Sequence, residues 1–122
     1  MYNYWESRVP SDNLLGAFEE LILLAVVRLG GDAYGMRVRQ EVEARTGRDV
    51  NIGAVYATLS RLEAKDYVSC AEQGGGSQRG GRVRKVYTLR PSGAEALREA
   101  RRASSAMWSG VDPKALPESR GA

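Results

Sequence analysis

Between Gln73 and Ala94 the chain carries Arg79, Arg82, Arg84, Lys85 and Arg90 and no acidic residue. The whole chain is at +3, so the remainder holds 13 basic against 15 acidic residues and the positive charge is local. Such a cluster suits a polyanion: its side chains can neutralise phosphates or enter the narrow minor groove of a duplex. The plainer use of the same charges is to keep an exposed strand edge soluble. Covalent chemistry has little to work with. Histidine is absent, and the single cysteine, Cys70, has neither an imidazole to activate it nor a second thiol to pair with. No spacing of metal-ligating residues stands out, and the glycines at 74–76 and 80–81 join two strand-like runs, unlike a phosphate-cradling strand–loop–helix. No catalytic residue, metal or cofactor is expected.

A second set of residues lies in "IGAVYATLSRLEAK", where Ile52, Val55, Leu59 and Leu62 recur at helical spacing. The face opposite them holds Gly53, Ala54, Ala57, Thr58, Arg61, Ala64 and Lys65. Side chains this small let a helix sit deep in a groove, with its positive N-terminus towards phosphate, although alanine is also an ordinary helix former on a solvated surface. Arg61 is the one residue on this face with strong base-reading chemistry, so direct readout is expected to be sparse, with phosphate contacts and duplex shape carrying the rest. Tyr56, at the edge of the apolar stripe, can pack its ring and reach a phosphate with its hydroxyl, or act as a partly buried core tyrosine. Tyr34 reads the same way.

The elements that must position these groups follow from the pattern of the chain. Residues 1–13, with Tyr2, Tyr4 and Trp5 at no usable period, read as an arm. "LLGAFEELILLAVVRL" reads as a helix buried on most sides and ending at Gly30-Gly31. "AYGMRVRQEVEARTG" gives a second helix with Tyr34, Val38 and Val42 on one face and a stop at Gly47. Asn51 can cap the third helix. "YVSCAE" and "RVRKVYTL" read as two strands of a hairpin, with Lys85, Tyr87 and Leu89 on one face and Arg84, Val86 and Thr88 on the other. Pro91 opens a fourth helix, and the tail from Asp112 reads as unstructured. The predicted fold is mainly α with a small β-hairpin, a winged helix-turn-helix at 14–90 followed by a dimerisation helix at 91–111 and a flexible tail at 112–122.

Leu97, Ala100, Ser104, Met107, Trp108 and Val111 form an apolar stripe along the fourth helix. A wing domain has a core without that helix, so the stripe can pair with a second copy or pack back on its own domain. Near a two-fold axis Trp108 would occur twice and could wall a flat pocket for a small planar aromatic molecule. Nothing is long and apolar enough to span a bilayer. No signal peptide is visible, and one cysteine agrees with a reducing compartment, so a cytoplasmic location without membrane partners is expected.

The stretches "ILLAVVRLGGDAYGMRV", "GAVYATLSRLEAKDYV" and "GGRVRKVYTLRPSGAEAL" resemble the PadR-like transcriptional regulators, over about Leu15 to Leu97. The resemblance implies a winged-helix homodimer that represses promoters at palindromic operators, of the smaller type with one C-terminal helix. It also implies that Tyr34, Gly35, Gly53, Ala54 and Tyr56 face DNA and that Arg79, Arg82, Arg84 and Lys85 form the basic wing. Asp66 stands where the family pattern usually has glycine at a helix end, and aspartate tolerates the left-handed conformation required there. The expected DNA-binding set is completed by Asn51, Ala57, Thr58, Arg61 and Lys65. The expectation is therefore a ligand-responsive repressor that binds double-stranded operator DNA as a homodimer. Two other readings stay open: a winged-helix protein-interaction module without DNA, and a small-molecule-binding dimer built on Trp108.

Overall fold

The computed structural model describes residues 14–74 and 83–119. The chain order is α1 (Ala17–Leu29), a 3₁₀ turn (Gly30–Asp32), α2 (Gly35–Thr46), α3 (Ile52–Ala64), β1 (Val68–Gly74), β2 (Val83–Leu89), α4 (Pro91–Trp108) and a last 3₁₀ turn at Pro113–Ala115. This is the winged helix-turn-helix architecture with one additional C-terminal helix. The core is aliphatic: Ile22, Leu23 and Val26 of α1, Val38 of α2, Val55, Leu59 and Leu62 of α3 and Val68 of β1 pack together with Tyr87 of β2. Among the described residues no helix is long and apolar enough to cross a membrane.

Local chemistry sets each boundary. At the start of α1 the Gly16 N–H donates to Glu19 Oε1 at 3.0 Å, which satisfies a helix-terminal donor and fixes that carboxylate. Gly47 closes α2 in the left-handed region at φ 71°. Asn51 caps α3, its side-chain oxygen accepting from the Ala54 N–H at 3.0 Å. Asp66 adopts φ 67°, as expected for a residue standing in for glycine. Its N–H donates to Glu63 O and the Tyr67 N–H to Leu62 O, the paired bonds of a Schellman ending. The Asp66 carboxylate then holds Arg90 at 3.0 Å, and Arg90 N–H donates to Tyr67 O, so the turn after α3 is tied to the start of α4. Gly93 completes that junction, since a Cβ there would lie 2.3 Å from the Tyr67 carbonyl oxygen.

The strands pair antiparallel, with Val68 opposite Leu89, Cys70 opposite Tyr87 and Glu72 opposite Lys85. The faces of β2 alternate as expected, but both are covered at its centre: Val86 and Tyr87 are both buried. The reason is a third partner. Tyr87 N–H donates to Ala33 O at 2.8 Å, and Tyr34 forms an isolated antiparallel bridge with Val86, so β2 runs between β1 and the Ala33–Tyr34 segment. Tyr87 faces the core cluster, while Val86 shares the other face with Tyr34, because directly paired residues project to the same side.

The first helix is not buried on most sides: Leu24 and Val27 are 40% and 48% exposed, because nothing among the described residues covers that face of α1. The segment after Asp112 is not featureless either. Asp112 caps the turn at Pro113–Ala115 through the Lys114 N–H, and Leu116 lines a hollow together with Met107 and Trp108.

Candidate nucleic-acid interface

α3 presents a nearly bare surface. Gly53, Ala57, Ser60 and Ala64, at helical spacing, are exposed along its outer face, with Tyr56 on one edge and Ala54, Arg61 and Lys65 on the other. Ser60 carries the polar side chain in that central row. It was absent from the expected set, yet counting from Gly53 in steps of three and four would have found it. Thr58 was expected on this face and lies in the core instead, 1% exposed. α1 packs along that side of α3, so its core stripe is broader than the four aliphatic positions suggested, and the buried hydroxyl accepts from Arg61 Nη2 at 3.0 Å.

The two edges of α3 differ. On the first, Tyr56 lies over Gly35: a Cβ at that glycine would fall 2.3 Å from the tyrosine ring. Gly35 is therefore buried as the seat of Tyr56 and is not itself an exposed contact. Tyr56 stays 46% exposed and lines, with Tyr34, Met36, Val83, Arg84 and Lys85, a cleft of about 540 Å³. The Arg84 guanidinium stands 4.3 Å from the centre of the Tyr34 ring, a cation–π contact that orients it while leaving its donors available. Among the described residues neither Arg84 nor Lys85 is in a salt bridge. Met36, exposed in the same cleft, was not anticipated from the sequence. Arg79 and Arg82 lie outside the described residues.

On the second edge, Lys65 Nζ is 3.1 Å and Arg61 Nε 3.9 Å from Glu19 Oε2 of α1. Burial alone would raise the Glu19 carboxyl. The bond from Gly16, the bond from Lys65 and the two positive charges outweigh it and hold the group below its ordinary value. Burial, and then Cys70 beside it, pushes the Tyr87 hydroxyl up to about 12, so it stays neutral behind the interface. Among the described residues no group of three or more potential ligands is placed to hold a metal ion.

The C-terminal stripe divides. Leu97 packs partly against the core, whereas Met107, Trp108 and Val111 are 79%, 48% and 44% exposed, with Ser104 exposed and Ala100 half-buried. Ser104, Met107, Trp108, Val111 and Leu116 line an open hollow of about 250 Å³. A second apolar groove of about 300 Å³ runs between α1 and α2, with Leu21, Leu24 and Val27 on its floor and Arg28 and Arg45 at its rim.

A capped helix with a bare outer face, braced by a preceding helix and flanked by a cationic hairpin, defines a winged-helix regulator of the DNA-binding class. The profile of the transcriptional regulator PadR-like family matches residues 23–99, and the chain belongs to that family. No curated protein matches it. Solved structures of similar fold include a PadR-like transcriptional regulator from Bacillus cereus strain ATCC 14579, with 21% identity and a TM-score of 0.65 over 88% of this chain and 100% of that one. A PadR-like transcription factor from Bacteroides fragilis has 25% identity and a TM-score of 0.62, covering 77% of this chain and 85% of that one. RosR of H. salinarum has 24% identity and a TM-score of 0.59, covering 82% of each chain.

Proposed function

We propose that the protein is a sequence-specific DNA-binding repressor that acts as a homodimer on a palindromic operator. The observation that carries this reading is the coincidence, on one surface, of the bare row Gly53, Ala57, Ser60 and Ala64 with the exposed cations Arg84 and Lys85 at the wing base, neither in a salt bridge among the described residues. α3 enters the major groove, where Ser60 is the hydroxyl nearest the base edges. Tyr56 and the wing cations bind phosphate on one flank, and the open N-terminus of α3 beyond Asn51 faces the backbone. With one polar side chain in the central row, much of the discrimination comes from duplex shape.

The dimer reading is supported by two apolar faces that the described residues leave uncovered, Leu24 and Val27 on α1 and Met107, Trp108 and Val111 on α4. Pairing α4 of one copy with α1 or α4 of the other covers them and sets two α3 helices at a fixed spacing. The hollow beside Trp108 supports ligand response: a planar aromatic compound stacked there would shift the arrangement of the two copies and so the spacing of the α3 pair. The reading tests directly. A labelled duplex from the region upstream of the protein's own gene is titrated with the full chain, with and without planar aromatic compounds, beside a scrambled duplex of the same composition. Tighter binding of the upstream duplex, by a species sedimenting as a dimer, is expected. Equal affinity for both duplexes contradicts sequence specificity, and no affinity for either favours a protein-interaction role.

A further inference from the structure

The second edge of α3 poses a physical problem. Non-specific affinity for duplex DNA grows with the number of phosphates that cations neutralise, and Arg61 and Lys65 sit where a groove-bound α3 would bring them beside a phosphate strand. Both are instead directed at Glu19. That carboxylate is only 13% exposed and accepts from the Gly16 N–H at its other oxygen, so turning it outward costs a hydrogen bond. Arg61 is further turned towards the protein by its bond to the buried Thr58 hydroxyl. A phosphate approaching this edge meets either cations already paired or, if they move, an uncovered fixed anion.

Resting on the DNA-binding reading above, we propose that Glu19 is a specificity-determining residue: it withholds Arg61 and Lys65 from the phosphate backbone, lowering affinity for arbitrary duplex while the wing edge and the row of α3 engage the operator. The same contact makes α1 the element that sets this restraint. Its carboxylate stands on the helix whose Leu24 and Val27 are uncovered among the described residues, so the apolar face and the restraint lie on one element. The ion pairs themselves are half-exposed on the cation side and contribute little to stability, which separates their effect on binding from an effect on folding.

The test compares the full-length protein with Glu19→Gln. Glutamine keeps an oxygen to accept from Gly16, removes the charge and puts an NH2 donor where Oε2 accepts from Lys65. Binding to a random-sequence duplex and to the upstream duplex is measured between about 50 and 200 mM salt. Glu19→Gln is expected to bind random duplex about five- to tenfold more tightly for each cation released, with a salt slope steeper by about one to two. The ratio of upstream to random affinity is expected to fall. Equal or weaker binding of random duplex with an unchanged slope would overturn the proposal.

Arg61→Gln in the presence of Glu19 gives an independent check should Glu19→Gln fold poorly. It is expected to change random-duplex affinity by less than about twofold, whereas a loss of about fivefold or more would show Arg61 already on phosphate and overturn the proposal. Failure of the wild-type protein to bind any duplex at low salt overturns the parent reading, and this inference with it.

Discussion

The two edges of α3 are each flanked by a pair of cations, held in opposite ways. At the wing edge, Arg84 is held by the Tyr34 ring and Lys85 is exposed opposite Glu72 of β1, and neither cation is within 4.0 Å of a carboxylate among the described residues. At the α1 edge, Arg61 and Lys65 share one fixed carboxylate. On the reading proposed above, a basic residue on the exposed side of α3 is therefore not by itself a DNA contact. What decides is whether the neighbouring element offers an aromatic face, which orients a cation and leaves its charge available, or an anchored acid, which consumes it.

The strongest way to break this comparison is to reverse the wing charges. Arg84→Glu with Lys85→Glu is expected to weaken upstream-duplex binding by about a hundredfold or more at moderate salt while the far-ultraviolet dichroism stays unchanged. Retained affinity would remove the wing edge from the interface. Two glycine substitutions sharpen the picture by separating binding from folding. Gly93→Ala drives a Cβ against the Tyr67 backbone carbonyl, which cannot give way, and is expected to cost about 1–3 kcal/mol in a denaturant melt. Gly35→Ala meets only the half-exposed Tyr56 ring, which can swing out. It is expected to leave stability nearly unchanged and to weaken duplex binding about fivefold, the worth of one hydrogen bond. A large stability loss in Gly35→Ala would mean that Tyr56 is locked in the fold and is not a mobile contact.

The smallest effect concerns the α1 edge. Glu19 is held below its ordinary value of 4.5, so its interactions contribute stability above that pH and lose it as the pH falls through the folded value. Thermal melts should therefore show the wild-type protein more stable than Glu19→Gln at neutral pH, with the gap closing below about pH 4.5. A gap that stays constant into acid would show that the carboxylate charge is not what matters.

The local parts of the fold were legible because their causes are local. Gly47, Asn51, Asp66 and Pro91 mark element ends by their own conformational or capping preferences, and the structure uses each of them so. What escaped the sequence depends on chain segments far apart. Nothing near Arg61 or Lys65 reveals Glu19, which bonds Lys65 across 46 residues. Nothing within β2 reveals that Ala33 and Tyr34 extend its pairing and let Val86 and Tyr87 both be buried. Thr58 read as polar and exposed because its type is ambiguous, and only the packing of α1 on α3 decides it. The bareness of the α3 row was legible, since Gly53, Ala57 and Ala64 are small whatever surrounds them.

The measurement closest to the central claim is the salt dependence of binding to the upstream duplex, taken for the wild-type protein and for Arg84→Gln with Lys85→Gln. If the cations at the wing base sit on phosphates, the logarithmic slope should become shallower by about two when both are neutralised. An unchanged slope would place the duplex elsewhere on the molecule and contradict the interface described for α3 and the wing.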